Sequence, residues 1–365
     1  MLVVTLACRY YGKRAVSFQI FPEKIKKERE GPEFPAVTRE VSSGIRESVP
    51  YLSKKGTSIY IWAESGAKKL QRFGKEQGRV TGKRASKQAK KGGGSFMNRT
   101  GIYTIGGIRF HISVQGEGSP LVLLHGEHCN LDVWDDQVRV LARSFTVIRY
   151  DRRGYGRSEA VSGPFSPYLD LKAILDYFGL RRASIIGACT GGAIAIDFAL
   201  AHPEYVEQLV LVSPWLNGTI PPPQMIWERF GDARRVRREG IERAAARFLR
   251  SRYWRHTVPR ERGARARFKE MYLGGAVRYA SRPAMERPLL SQSRRRLGEI
   301  GCPVLIVMGE WDSSFNRKLC RYAHEKILHS SLIRMEGCGH LPQLDHPLEF
   351  SAIALSALKA SADRR

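Results

Sequence analysis

The chain has 365 residues, with 61 Lys and Arg against 35 Asp and Glu, a formal net charge of +26 and an isoelectric point near 10.2. With 42% hydrophobic residues it has the composition of a globular protein of one large or two ordinary domains. This excludes disordered, collagenous and membrane-embedded classes, and no apolar run approaches the ~18 residues a membrane span needs.

The opening MLVVTLACRYYGKR puts its apolar stretch before the basic residues, the reverse of a secretory signal, so no signal peptide is expected. Cysteines at 8, 129, 189, 302, 320 and 338 form no C-x-x-C pair and no disulfide framework. A reducing, cytoplasmic compartment and no bound metal are the expectation. Residues 1–96 carry 21 Lys/Arg against 8 Asp/Glu, and they end in GKRASKQAKKGGGS, which reads as a flexible linker. Short apolar pieces such as TSIYIWA show no sustained period that would bury a core, so a basic extension with little stable structure, solvated or even artefactual, is predicted. It has no zinc spacing, RNP-like motif or helix-turn-helix, and nucleic acid is not the expected partner. Met97 opens what reads as a natural domain start, which points to translation from there.

From residue 101 short apolar runs closed by Gly or Asp alternate with helical stretches, the pattern of a mostly parallel sheet. YTIGGIRFHISVQ predicts a hairpin, and PLVLLHG and FTVIRYD predict buried strands. DLKAILDYFGL predicts a helix before the strand ASIIGA, and GGAIAIDFALAHPEYV predicts another after it. VEQLVLVSP, CPVLIVMGEWD and SSLIRMEGCGH complete the strands, and PLEFSAIALSALK predicts a terminal helix. Residues 214–300 interrupt this alternation with 21 Lys/Arg, nearly all arginine, against 8 Asp/Glu. The remainder, 97–213 and 301–365, is neutral.

Reactive groups in such sheets collect beyond the carboxyl ends of strands. Cys189 lies in Gly187-Ala188-Cys189-Thr190-Gly191-Gly192, where small residues permit a tight strand-to-helix turn. The helix N-terminus that follows favours a thiolate, although a buried structural cysteine fits the motif alone equally well. Asp312 after one strand and His340 after the last complete the chain order nucleophile, acid, histidine.

On His125-Gly126, the turn DRRGYGRS, the elbow around Cys189, GEWD and GCGH, residues 100–360 resemble the α/β-hydrolase superfamily in its single-domain, lid-bearing form. The resemblance implies an α/β-hydrolase fold, a mostly parallel central sheet with flanking helices and a helical lid inserted before the strand that precedes Asp312. It also implies an oxyanion hole from the backbone N–H groups of Glu127 and Thr190, and no cofactor. Serine, or aspartate in dehalogenases and epoxide hydrolases, usually fills this elbow. The cysteine is similar to that of dienelactone hydrolases and polyhydroxyalkanoate synthases. Asp151 and Arg153 are expected to brace their turn, and His125, Gly126, His128 and Trp215 to wall a substrate pocket.

The chemistry expected is cleavage of a carboxylic ester, lactone or thioester through an acyl-enzyme on Cys189. Acyl transfer by the same groups, or a silent binding fold, are the other readings. Glu127 is expected to turn its carboxylate away from the hole; otherwise it would hold a basic substrate group or protonate a leaving group. His128 is read as loop structure or as a second acid or base. In the insertion, Ile226, Phe230, Ile241, Phe248 and Tyr253 predict a helical apolar stripe over the pocket. The arginines read either as a solvated face or as a site for an anionic acyl substrate such as an acyl-CoA or acyl-carrier thioester.

Overall fold

The computed structural model describes residues 48–52, 58–62, 98–275, 286–289 and 292–362. The chain divides into two compact units, Met1–Lys91 and Gly92–Arg365. In the first, β1 (Ser48–Leu52) and β2 (Ser58–Trp62) pair antiparallel. The second of these strands falls in TSIYIWA, a stretch whose pattern predicts little stable structure. The linker-like run, Met97 and the rest of the predicted extension lie outside the described residues.

In the second unit, β3 (Arg99–Ile105) and β4 (Ile108–Gln115) form the predicted hairpin. Then follow β5 (Ser119–Leu124), β6 (Phe145–Tyr150), β7 (Ala183–Ala188), β8 (Val206–Val212), β9 (Val304–Gly309) and β10 (Ser330–Met335). The sheet has eight strands in the order β10-β9-β8-β7-β5-β6-β4-β3, antiparallel only at the β6-β4-β3 end. Strands β7 and β9 are buried along their whole length because helices cover both faces, which is why VLIVMG is wholly apolar and ASIIGA is apolar but for Ser184, whose hydroxyl accepts from Gln208.

One face packs against α2 (Pro167–Tyr177), α3 (Thr190–Ala201) and α7 (Ser314–Lys326), with Leu171, Ile174, Phe198 and Leu319 buried between them. The other packs against α1 (Asp135–Leu141) and α8 (Pro347–Ala362), around Trp134, Leu141 and Phe350. Helix α1 has no counterpart in the sequence reading. It is two turns long and buries only Gln137, Val138 and Leu141, too short for a helical period to register. Among the described residues no helix is long and apolar enough to cross a membrane.

Between β8 and β9 the chain forms α4 (Pro223–Glu239), α5 (Ile241–Arg250) and α6 (Arg262–Gly274). The insertion is helical, but the predicted stripe is corrected. Gly240, at φ 85°, separates α4 from α5, so Ile226 and Phe230 do not continue the face of Phe248. Phe248 is fully buried, whereas Ile226 and Phe230 are 37% and 61% exposed. Helix α4 instead turns inward the line Met225, Arg229, Asp232, at i, i+4 and i+7. Met225 and Asp232 are buried, and Asp232 accepts the Tyr272 hydroxyl of α6 at 2.7 Å.

Gly309 ends β9 where the loop that carries His340 crosses it. A Cβ there would stand 1.8 Å from the Gly339 carbonyl oxygen, and backbone cannot yield as a side-chain tip can. Gly309→Ala is therefore expected to cost ~1–3 kcal/mol by overpacking. The check is a melting temperature several degrees below that of the unaltered chain; an unchanged value would contradict this packing.

Candidate active site

Cys189 stands between β7 and α3 with φ 51° and ψ −116°, a left-handed position rarely taken by a side-chain-bearing residue. The turn is held by backbone: the Cys189 N–H donates to Val212 O at 2.9 Å, and its carbonyl accepts from Trp215 N at 3.0 Å and Ala193 N at 3.2 Å. A Cβ on Gly191 would meet Leu124 O at 2.4 Å, so only glycine lets α3 begin this close to β5. The result is a thiol at the mouth of a helix N-terminus, whose leading N–H groups have no acceptor within the helix.

Asp312 follows β9, and His340 lies in the loop after β10. His340 Nδ1 and Asp312 Oδ2 are 2.8 Å apart, and Cys189 lines the same cavity as the imidazole and acts on it electrostatically. Burial by itself would push His340 down; the Asp312 carboxylate and Cys189 outweigh it and hold its pKa well above the ordinary histidine value. Burial likewise opposes ionisation of Asp312, but His340 and the Asn316 amide win and hold the carboxyl below its usual range. Asn316 Nδ2 donates to Asp312 Oδ1 at 2.7 Å, and the Ser313 N–H to the same oxygen at 2.6 Å. Asp312 thus accepts from three groups across its two oxygens, which fixes the carboxylate against rotation.

Cys189, His340 and Asn316 open onto a cavity of about 260 Å³. Thr190, Glu127, His128 and Trp215 line it, together with Arg152, Met225 and His256. His125 and Gly126 do not line it, which corrects their assignment to the pocket wall. His125 is fully buried, with Nδ1 donating to Gly126 O at 2.8 Å and Nε2 accepting the Arg152 N–H at 3.0 Å. It shapes the loop that presents Glu127. Asp151 and Arg153 brace their turn as expected: Asp151 accepts from Leu131 N and Arg157 N, both at 2.8 Å, and Arg153 Nε donates to Asp170 at 3.1 Å.

Glu127 is corrected as well. Its side chain faces the cavity rather than away, and Arg229 from α4 meets it at 2.6 Å. A neighbouring guanidinium removes the electrostatic objection to a carboxylate beside an oxyanion. Arg267 of α6 similarly pairs with Asp136 of α1 at 2.5 Å, so these two arginines bind core carboxylates and are not merely solvated. His128 joins an aromatic cluster, stacked on Tyr272 at 5.2 Å and against Phe248 at 4.7 Å.

Three lining groups escaped the sequence reading. His256 approaches from the insertion: its carbonyl accepts the His340 N–H at 2.6 Å, and burial drives its imidazole down to about 4, leaving it neutral. Asn316 steadies Asp312 from the first turn of α7. Arg152 lies in the DRRGYGRS motif between two residues that brace its turn, and nothing local distinguishes it from them. Among the described residues no cluster of three or more His, Cys, Asp and Glu is placed to hold a metal.

An α/β sheet whose strand ends bring a cysteine, a histidine and a carboxylate to one helix N-terminus defines a class of architecture. The chain belongs to the alpha/beta hydrolase fold family, whose sequence profile matches residues 119–347. It is 28% identical over 256 residues to the pimeloyl-[acyl-carrier protein] methyl ester esterase of Pectobacterium atrosepticum, covering 67% of this chain and 97% of that one. It is 35% identical over 111 residues to the soluble epoxide hydrolase of Corynebacterium sp., covering 30% of this chain and 39% of that one. Several of its curated relatives are matched over only 33% to 41% of their own length. The enol-lactonase of Burkholderia xenovorans LB400 superposes with a TM-score of 0.59 at 22% identity, over 71% of this chain and 100% of that one, which speaks to the fold alone.

Proposed function

We propose that the chain hydrolyses a carboxylic ester or thioester through an acyl-enzyme on Cys189. The observation that carries this reading is the thiol itself: held at a strained strand-to-helix turn, and sharing its cavity with an imidazole that a buried carboxylate orients. With Nδ1 engaged by Asp312, Nε2 of His340 takes the thiol proton. The Cys189 sulfur bonds to the acyl carbon, and the carbonyl π pair moves to oxygen, where the N–H groups of Glu127 and Thr190 receive it. Collapse expels the alcohol or thiol, which leaves with the proton from His340. Water then attacks the thioester, giving a proton to His340; the second collapse releases the acid and returns that proton to sulfur.

The helices between β8 and β9 act as the lid, with Met225 and Trp254 over the cavity. A thiol at this position has no counterpart for the alkyl-ester chemistry of an aspartate nucleophile, so epoxide opening by that route is not proposed. The resemblance to an esterase matched over most of its length agrees with ester cleavage. Intact-mass measurement after brief exposure to short activated esters tests the proposal. Unaltered chain is expected to gain the mass of one acyl group and Cys189→Ala none; labelling of both alike, or turnover undiminished in Cys189→Ala, rules out the thioester.

A further inference from the structure

Arg152 has no part in the steps above, yet it is far more deeply buried than Arg229, the other arginine lining the cavity. It follows Asp151 beyond β6, lines the cavity onto which Cys189 opens, and is only 4% exposed. Its guanidinium lies over the Tyr155 ring, 4.3 Å from the centroid, and Nη2 makes a long contact of 3.4 Å with Gly126 O. Nε is buried with no hydrogen-bond partner. Among the described residues no carboxylate forms an ion pair with it, whereas its neighbours Arg149 and Arg153 are paired with Asp135 and Asp170.

The carboxylates on the same wall are otherwise disposed. Asp197 is held by Asn217 Nδ2 and Leu289 N, each at 2.9 Å, and by the Ser293 hydroxyl. Glu127 is met by Arg229, and Glu286 is exposed. A guanidinium taken out of water without an anion or a full set of acceptors is strongly unfavourable. A planar guanidinium that lines a cavity and has no anion of its own is instead suited to a carboxylate, which such a fork grips through parallel hydrogen bonds.

We infer that Arg152 binds a second carboxylate of the substrate, so that the ester cleaved is one bearing a free acid group. This rests on the hydrolytic reading of Cys189 and names its substrate class. Gly126 sets the spacing: a Cβ on it would stand 2.9 Å from that of Cys189, while its carbonyl contacts Arg152. The acid group therefore sits a few bonds from the reacting carbonyl, as in the half-ester of a short dicarboxylic acid. At about 260 Å³ the cavity lies at or below the ~300–1,000 Å³ usual for ligand sites, which also favours a short acyl chain.

The test compares hydrolysis of monoethyl glutarate and monoethyl adipate with that of ethyl valerate and ethyl hexanoate, in which a methyl group replaces the acid. The full-length chain is expected to favour the half-esters by ~10- to 100-fold in kcat/KM, mostly through KM. Arg152→Gln is expected to bring that ratio close to one and Arg152→Lys to restore part of it. A brace for the Gly126 loop would slow both classes alike and leave the ratio untouched, which overturns the proposal. So does a ratio of one in the unaltered chain, a result that stands even if neither variant folds. If no ester is turned over, the hydrolytic reading fails and binding decides Arg152 separately by calorimetry. Binding of glutarate but not glutaramide to the unaltered chain upholds the carboxylate site, and binding of neither, or of both equally, overturns it.

Discussion

Cys189→Ala is expected to lower ester turnover by ~10⁴- to 10⁶-fold while leaving the melting temperature nearly unchanged. The two halves of this result have different origins. The turn that presents the thiol is secured by main-chain hydrogen bonds to Val212, Ala193 and Trp215, none of which involves the side chain. Alanine occupies the same left-handed position with no more strain than cysteine, so the fold has no reason to change. The reaction, by contrast, loses the atom that becomes acylated. Residual rate would come from the oxyanion donors and substrate binding. Cys189→Ser provides the graded control: a hydroxyl is far less acidic than a thiol, so His340 must remove a more tightly held proton, and the rate should fall between the other two. Steady-state kinetics beside a thermal melt separate these outcomes. An active, well-folded Cys189→Ala would exclude covalent catalysis at this position.

The sequence carried the sheet and the chemical triplet for a simple reason. Buried parallel strands must be largely apolar on both faces, so VLIVMG and ASIIGA stand out, and Cys189 and Asp312 follow these two strands. His340 follows the edge strand SSLIRM, which was legible by its place as the last strand. Contacts that depend on distant partners left no local trace. The orientation of Glu127 is decided by Arg229, 102 residues away, and the inward line of α4 is decided by Glu127 and Tyr272 rather than by hydrophobicity. Ile226 and Phe230 satisfied a helical period yet lie toward solvent, because Gly240 turns the chain before Phe248. Arg152 was hidden by its company: in a turn with three arginines, only the structure distinguishes the one paired with Asp170 from the one that faces the cavity.

Asp312→Asn is expected to reduce the plateau rate by ~10⁴-fold, the size of the same exchange in serine triads, and to move the pH profile. In the unaltered chain, the proton on His340 is stabilised by the Asp312 charge and by Cys189 against the opposing effect of burial. The imidazole is a base only once that proton has left, so the acid limb of kcat/KM should have its midpoint above the ordinary histidine value of ~6.5. Removing the Asp312 charge leaves burial to act with less opposition, and the midpoint should move to lower pH. The neutral amide also loses the strong acceptor that keeps the proton on Nδ1. The Asn316 amide stands 3.1 Å from that nitrogen and becomes available to donate to it, which favours the tautomer with its proton on Nε2, unable to act as base toward sulfur. Rate and midpoint should therefore change together. A lower rate with an unmoved acid limb would mean that Asp312 supports the loop around His340 without setting its charge, and the profile of kcat/KM from acid to neutral pH distinguishes the two.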